Sequence, residues 1–208
     1  MTTTPRHAAW LLDLDGTLYR PFPVKLAMAA ELALWGWGAL SVIRAFRREH
    51  ENLHHELGSE PTLRFDPSPF AEQVSRTARA LGVAEEAVSR LVERWMIERP
   101  SRWLRMFRRQ SLLDELTRHR AGGLRTAIVS DYPARRKLSA LGVAHLIDQV
   151  IANGEHPELK RLKPSPEGYL LAADRLGVRP SECLVIGDRP DLDGAAARAA
   201  GMEFRLIR

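Results

Sequence analysis

Five short apolar runs, at residues 8–12, 124–129, 149–151, 183–186 and 203–207, constrain the fold of this chain more than any other feature. Runs this short and apolar fit strands buried on both faces. Stretches with helical character separate the last four, at 134–141, 166–176 and 191–200. Gly142, Gly177 and Gly201 follow those stretches, as glycine does at helix C-termini. Strands alternating with helices predict an α/β fold with a mostly parallel sheet covered on both faces.

The interval from Tyr19 to Gly123 breaks this rhythm, being far too long for one crossover helix. It carries helical periodicity almost throughout, with breaks around 58–69, at Gly82 and near Pro100. Residues 21–110 are therefore expected to form an all-helical insertion, and 112–120 the helix that returns to the core. The expected division is 1–20 with 111–208 as the core and 21–110 as a cap. An insertion leaving the first strand stands over the carboxyl ends of the sheet, where open α/β sheets bind ligands.

Composition narrows the function classes only a little. The net charge of +5 suits anionic partners in general, whether phosphate esters, nucleic acid or anionic membrane. The single cysteine, Cys183, excludes an intramolecular disulfide and a thiolate metal cluster, and its apolar run predicts a buried, inert thiol. The polar segment Met1 to His7 lacks the apolar stretch of a signal peptide, so a cytoplasmic location is the default expectation. Residues 26–43, LAMAAELALWGWGALSVI, carry Glu31 as their only charge and reach the lower length of a membrane span. Glu31 and the interruptions at Gly36 and Gly38 favour a buried or partner-facing helix pair, with membrane contact the weaker reading. Arg99, Arg102, Arg105 and Arg108 recur every third residue, a drifting basic stripe if the segment is one helix. Its functional reading is anion binding; its plain reading is a solvated face. His54 and His55 have no acidic or cysteine constellation nearby in sequence, so a second metal site is not expected.

Three strand ends and one loop hold the chemistry. Asp13-Leu14-Asp15-Gly16-Thr17-Leu18 follows the first run. Carboxylates two residues apart share one side of a regular strand. Left unpaired at a few Å they repel by about 4 kcal/mol at an effective dielectric near 20. A hard cation such as Mg²⁺ relieves that repulsion, and Gly16 lets the backbone turn tightly out of the strand. The plain alternative is a solvated turn, since Asp and Gly are common turn residues. Gly187-Asp188-Arg189-Pro190-Asp191-Leu192-Asp193 follows the fourth run and opens a helix, so Asp191 and Asp193 read equally as capping residues. Ser130 and Asp131 end the second run, where Ser130 is either a phosphoryl-oxygen ligand or a helix cap. Lys163 precedes the helix expected at 166–176, as a counter-charge for phosphate or an exposed loop lysine.

Taken in order, DLDGTL, VSD, LKPSPEGY and GDRPDLDGAAARAAG resemble the four motifs of the haloacid dehalogenase superfamily, each after a core strand. The resemblance covers about half the chain, residues 6–20 and 111–208, and implies a Rossmann-like core with a helical cap after the first motif. It implies a Mg²⁺-dependent phosphatase acting on a small phosphate ester, in which Asp13 attacks phosphorus and Asp15 is the acid and base. Ser130 and Lys163 would bind the phosphoryl group, and Asp13, Asp188 and the backbone carbonyl of Asp15 would hold the metal. Thr17, Asp131 and Asp193 would support the site, Asp193 being favoured over Asp191 as the second acid of the fourth motif. Dehalogenases of this superfamily lack an acid two residues after the nucleophile, so Asp15 argues for phosphate chemistry. Nucleic acid is not an expected partner, and a second copy packed through the cap is an open reading. A phosphotransferase or mutase, or a binding protein docking through its apolar, Arg-rich cap, are the alternatives.

Overall fold

The computed structural model describes residues 7–208; the polar segment 1–6 lies outside the described residues. Five parallel strands form one sheet, β1 (Ala9–Leu12), β2 (Arg125–Ser130), β3 (Gln149–Ala152), β4 (Cys183–Gly187) and β5 (Glu203–Leu206), in the order β3-β2-β1-β4-β5. β1 is central, with Leu12 level with Ile128 of β2 and Ile186 of β4. The carboxyl ends of these three strands therefore finish side by side, which brings together motifs more than a hundred residues apart in the chain.

Alternation along β1 divides the core. Trp10 and Leu12 face one side, against α6 (Gln110–Ala121) through Leu112, Leu113 and Leu116, and α7 (Arg135–Leu141) through Leu138 and Leu141. Ala9 and Leu11 face the other, against α8 (Glu167–Leu176) through Tyr169, Ala172 and Leu176, and α9 (Asp193–Ala199) through Ala196 and Ala197. Covering both faces explains why the strands read as continuous apolar runs. Cys183 is buried in this core, as its sequence context implies.

Between β1 and α6 the chain is helical: α1 (Pro21–Trp35), α2 (Trp37–Ser59), α3 (Pro69–Leu81), α4 (Glu85–Val92), a π-helical stretch (Glu93–Glu98) and α5 (Arg99–Leu104). This inserted helical cap has its own apolar cluster, built from Val42, Phe46, Val74, Ala78, Val88 and Val92. Pro100 does not end the helical path. A proline removes a backbone donor, and the chain approaches it through the wider π register, entering α5 with Pro100 in its first turn.

The apolar segment 26–43 is a helix pair broken at Gly36. A Cβ at Gly36 would lie 2.4 Å from Leu32 Cδ1 and 2.7 Å from Trp95 Cη2, so only glycine admits the Trp95 ring at this corner. Glu31 turns inward, its Oε1 accepting from Trp103 Nε1 at 3.0 Å and its Oε2 from Arg99. Among the described residues no helix is long and apolar enough to cross a membrane. The expected arginine stripe does not form, because α5 ends at Leu104 and the chain turns to an isolated bridge between Arg108 and Tyr19. Arg99 is engaged by Glu31 and the face of Trp95, leaving no common helical face for the four arginines.

Candidate active site

Asp13 emerges from β1 with its N–H bonded to Ile186 O at 2.9 Å, and its carboxylate is buried. Thr17 Oγ1 donates to Asp13 Oδ2 at 3.0 Å and Lys163 Nζ to Asp13 Oδ1 at 2.7 Å. Lys163 is equally buried and bridges to Asp193 Oδ1, also at 2.7 Å. Asp193 is held by the Tyr169 hydroxyl at 2.9 Å and by the Arg189 N–H on its other oxygen at 3.2 Å. Burial pushes the Asp13 carboxyl up to about 7, with Lys163 opposing and Asp193 adding to the rise. The two carboxylates hold the Lys163 ammonium well above its ordinary range despite its burial. Asp191 instead pairs with Arg189 on the surface, so Asp193 is the acid that faces this centre.

Gly16 shapes the turn that follows. It has φ +99°, and a Cβ there would fall 2.0 Å from Asp188 Oδ2. Both the left-handed backbone and the room for Asp188 therefore require glycine. Arg109, at the entrance to α6, fixes the same turn by donating to Gly16 O at 3.2 and 3.3 Å. Asp188 is half-buried, and desolvation followed by the charge of Asp193 raises its pKa.

Asp15 points elsewhere. Lys137 Nζ of α7 donates to its two oxygens at 2.8 and 2.6 Å, and the Tyr19 hydroxyl donates to Oδ1. Burial alone would raise the Asp15 pKa, but the charge and hydrogen bonds of Lys137, with Tyr19, outweigh it and keep Asp15 below the usual carboxylate range.

Ser130 is buried at the end of β2, and its Oγ accepts from Tyr132 N at 3.2 Å. It does not cap α7, whose entering N–H groups at Ala134 and Arg135 donate to Glu155. Asp131 Oδ1 accepts from Lys163 N at 3.2 Å, tying the second motif to the third. Asp131 also corrects the reading of His54. The i,i+4 pair His50 and His54 on α2 brings two ring nitrogens to 3.1 Å, and with Asp131 they form a group whose donor atoms lie within 4.8 Å of one another. The glutamates near His54 in sequence, Glu51 and Glu56, are not part of this group; its acid, Asp131, is reached because α2 folds across the end of β2.

Asp13, Asp15, Ser130, Asp131, Lys163, Asp188 and Asp193 thus gather at one end of the sheet, although Asp15 is turned away from the Asp13, Asp188 and Asp193 group, whose carboxylate oxygens lie within 4.8 Å of one another. Lys137, Tyr19, Tyr169 and Arg109 escaped sequence reasoning. A lysine in the short helix RRKLSAL reads as solvent-facing, and nothing in its spacing marks it as buried. A cavity of about 810 Å³ opens above these groups, with α2 supplying Arg44, Arg47 and Arg48 to its wall.

A parallel sheet ending in acidic loops under a helical cap defines a capped α/β protein with an acidic site at its strand ends. The chain belongs to the haloacid dehalogenase-like hydrolases, whose family model matches residues 8–201. It is 31% identical over 222 residues to the phosphoserine phosphatase of Thermus thermophilus, covering 92% of this chain and 85% of that one. It is 44% identical over 75 residues to the fructose-1-phosphate phosphatase YqaB of Escherichia coli, a match spanning 36% of this chain and 38% of that protein. In structure it resembles a dehalogenase solved with an intermediate complex, at a TM-score of 0.64 and 18% identity, covering 98% of this chain and 85% of the other. That likeness shows the fold alone. The phosphoglycolate phosphatase of Thiobacillus denitrificans is likewise 31% identical over 205 residues, covering 93% of this chain and 79% of that one.

Proposed function

We propose that the chain hydrolyses a phosphomonoester through an aspartyl-phosphate on Asp13, with Mg²⁺ as cofactor. The observation that carries this reading is Lys163, buried and bonded at 2.7 Å to both Asp13 and Asp193 at the ends of two adjacent strands. A lysine held there is a fixed positive charge for an incoming phosphoryl group, and needs no reorganisation to act.

The acidic group suits a divalent cation. Burial and the charge of Asp193 raise both Asp13 and Asp188, a penalty that a bound cation would relieve. Asp13, Asp188 and the backbone carbonyl of Asp15 would hold it, consistent with the preference of Mg²⁺ for few carboxylates and several waters. Asp193 is the outer member of the group, since both its oxygens are engaged by Lys163, Tyr169 and Arg189. When bound, Mg²⁺ supplies positive charge beside the transferring phosphoryl oxygens.

In this reading an Asp13 carboxylate oxygen attacks phosphorus while Thr17 on Oδ2 and Lys163 on Oδ1 fix the carboxylate plane. The phosphorus–oxygen bond to the alcohol breaks, and Asp15, ionised in the free site, passes to the leaving oxygen a proton taken from the monoanionic ester. Asp15 then takes a proton from water as the water attacks the aspartyl-phosphate, releasing phosphate and restoring Asp13. Ser130 and the neighbouring N–H groups would hold the phosphoryl oxygens. The cap, which we take as residues 21–110 on a core of 1–20 and 111–208, would exclude bulk water. Arg44, Arg47 and Arg48 would draw anionic esters into the cavity.

Phosphate release from a panel of phosphorylated metabolites, with Mg²⁺ or EDTA, tests the proposal on wild type and Asp13→Asn in parallel. Mg²⁺-dependent release that the variant loses is the expected result. Wild-type turnover in Asp13→Asn would sink it.

A further inference from the structure

Resting on the phosphatase reading, we infer that the substrate's alcohol carries a hydrocarbon chain, held by the apolar wall of the cavity. The cavity has two unlike parts. Its floor is polar, formed by Asp13, Asp15, Ser130 and Lys163. Above the floor, Val24, Met28 and Leu32 of α1, Ile43 of α2, and Trp95 and Ile97 of the π-helical stretch make a continuous apolar side. A volume of about 810 Å³ is in the upper part of the range, about 300–1,000 Å³, of sites that enclose drug-sized ligands. A phosphate on a two- or three-carbon alcohol would occupy the floor and leave the apolar side wet. A chain of several methylenes would reach it.

Helix α1 supports the same chemistry on its other side. Val24, Met28 and Leu32 face inward, while Phe22, Leu26 and Leu34 are 63–75% exposed, with Trp35 and Trp37 beyond them. Glu31, the one acidic residue of α1, is turned into the protein by Arg99 and Trp103, leaving Lys25, exposed at the cavity rim, as the only other charge of the helix. A helix apolar on both sides and free of outward negative charge is suited to lie beside a lipid surface. The ester could therefore be drawn either from solution or from a bilayer, and its shared chemistry is an alkyl or prenyl phosphate.

The test is kcat/KM with Mg²⁺ for butyl, hexyl, octyl and dodecyl phosphate, each below its micelle concentration, and for phosphoglycolate as a short anionic ester. The wild type is compared with Leu32→Gln and Ile43→Asn, whose folding is checked by thermal unfolding. Each methylene that becomes buried should raise kcat/KM by up to about fourfold, and both variants should flatten the rise. Dodecylphosphonate, which is not hydrolysed, should inhibit more strongly than butylphosphonate in the wild type and no more strongly in Leu32→Gln. A flat or falling series, or phosphoglycolate turned over faster than dodecyl phosphate, would overturn the inference and assign the cavity to a second anionic group on Arg44, Arg47 and Arg48. No release from any ester, butyl phosphate included, would overturn the phosphatase reading along with it. Dodecyl phosphate presented in phosphatidylcholine vesicles distinguishes the sources: faster release than from solution supports a bilayer source, slower release a dissolved one.

Discussion

Lys137 donates to both oxygens of Asp15 although 122 residues separate them in the chain. Lys137 is itself buried and Asp15 half-buried, and the two bonds fix the direction of the Asp15 carboxylate. Replacement by Met keeps the packing volume and removes that hold. Lys137→Met should lower kcat by about 10–100-fold on an alkyl phosphate, part of the contribution of a positioned acid and base. It should cost less on p-nitrophenyl phosphate, whose leaving group needs no proton. Equal losses on the two esters would show that Lys137 does not act through Asp15.

Asp193 keeps Lys163 from pairing with Asp13 alone. Asp193→Asn leaves the lysine with one carboxylate and the Tyr169 hydroxyl with a neutral partner. Removing one member of a buried ionic group costs about 3 kcal/mol, a fall in Tm of about 6–12 °C for a chain of this size. Calorimetry of the variant decides this, and an unchanged Tm would mean that Asn replaces the Asp193 contacts fully.

His50 gives the cap an acid-sensitive element. Burial, followed by the neighbouring His54, pushes its pKa down to about 4, while Asp131 and Glu51 oppose this weakly. Its Nδ1 lies 3.3 Å from Gln73 Oε1, and its ring stacks on Tyr132. Between about pH 6.5 and 4 the unfolded chain binds a proton that the folded chain refuses, so stability falls as pH is lowered through that window. Denaturant unfolding at pH 7 and 4.5 should show a loss of about 2–3 kcal/mol from this group, reduced in His50→Gln. The same loss in both proteins would assign the effect elsewhere.

Gly36→Ala tests the corner between α1 and α2. The added methyl meets Leu32 and the Trp95 ring at distances no packed core tolerates. Overpacking of this kind costs about 1–3 kcal/mol, visible as a lower Tm. An unchanged Tm would mean that the corner opens without penalty, and Trp95 fluorescence would then report the shift.

The α/β core was legible because two-sided burial writes itself as short apolar runs, and the strand ends because Asp and Gly cluster where those runs stop. The acidic residues of the first and fourth motifs were visible one by one. Their meeting depends on strand order, which places β1 between β2 and β4. Lys137 and Tyr169 were invisible for a physical reason: a polar atom on a mostly apolar helix face carries no periodic signal, and only tertiary packing supplies its partner; Tyr19 lies in a bridge outside any helix. The same holds for His54, whose acidic neighbour Asp131 comes from another element. Three-residue spacing of the arginines implies a stripe only while a helix continues, and α5 stops at Leu104, leaving Arg102 and Arg105 exposed to solvent.

The central position of β1 has a kinetic consequence for the chain. Strands at the margins of a sheet fray at little cost, whereas one paired on both sides opens only when the sheet itself comes apart. Backbone amides of Trp10 to Leu12 should therefore be among the slowest to exchange with deuterium, well behind those of β3 and β5. Asp13 hangs directly from that strand, so the proposed nucleophile keeps its place through every partial opening short of global unfolding.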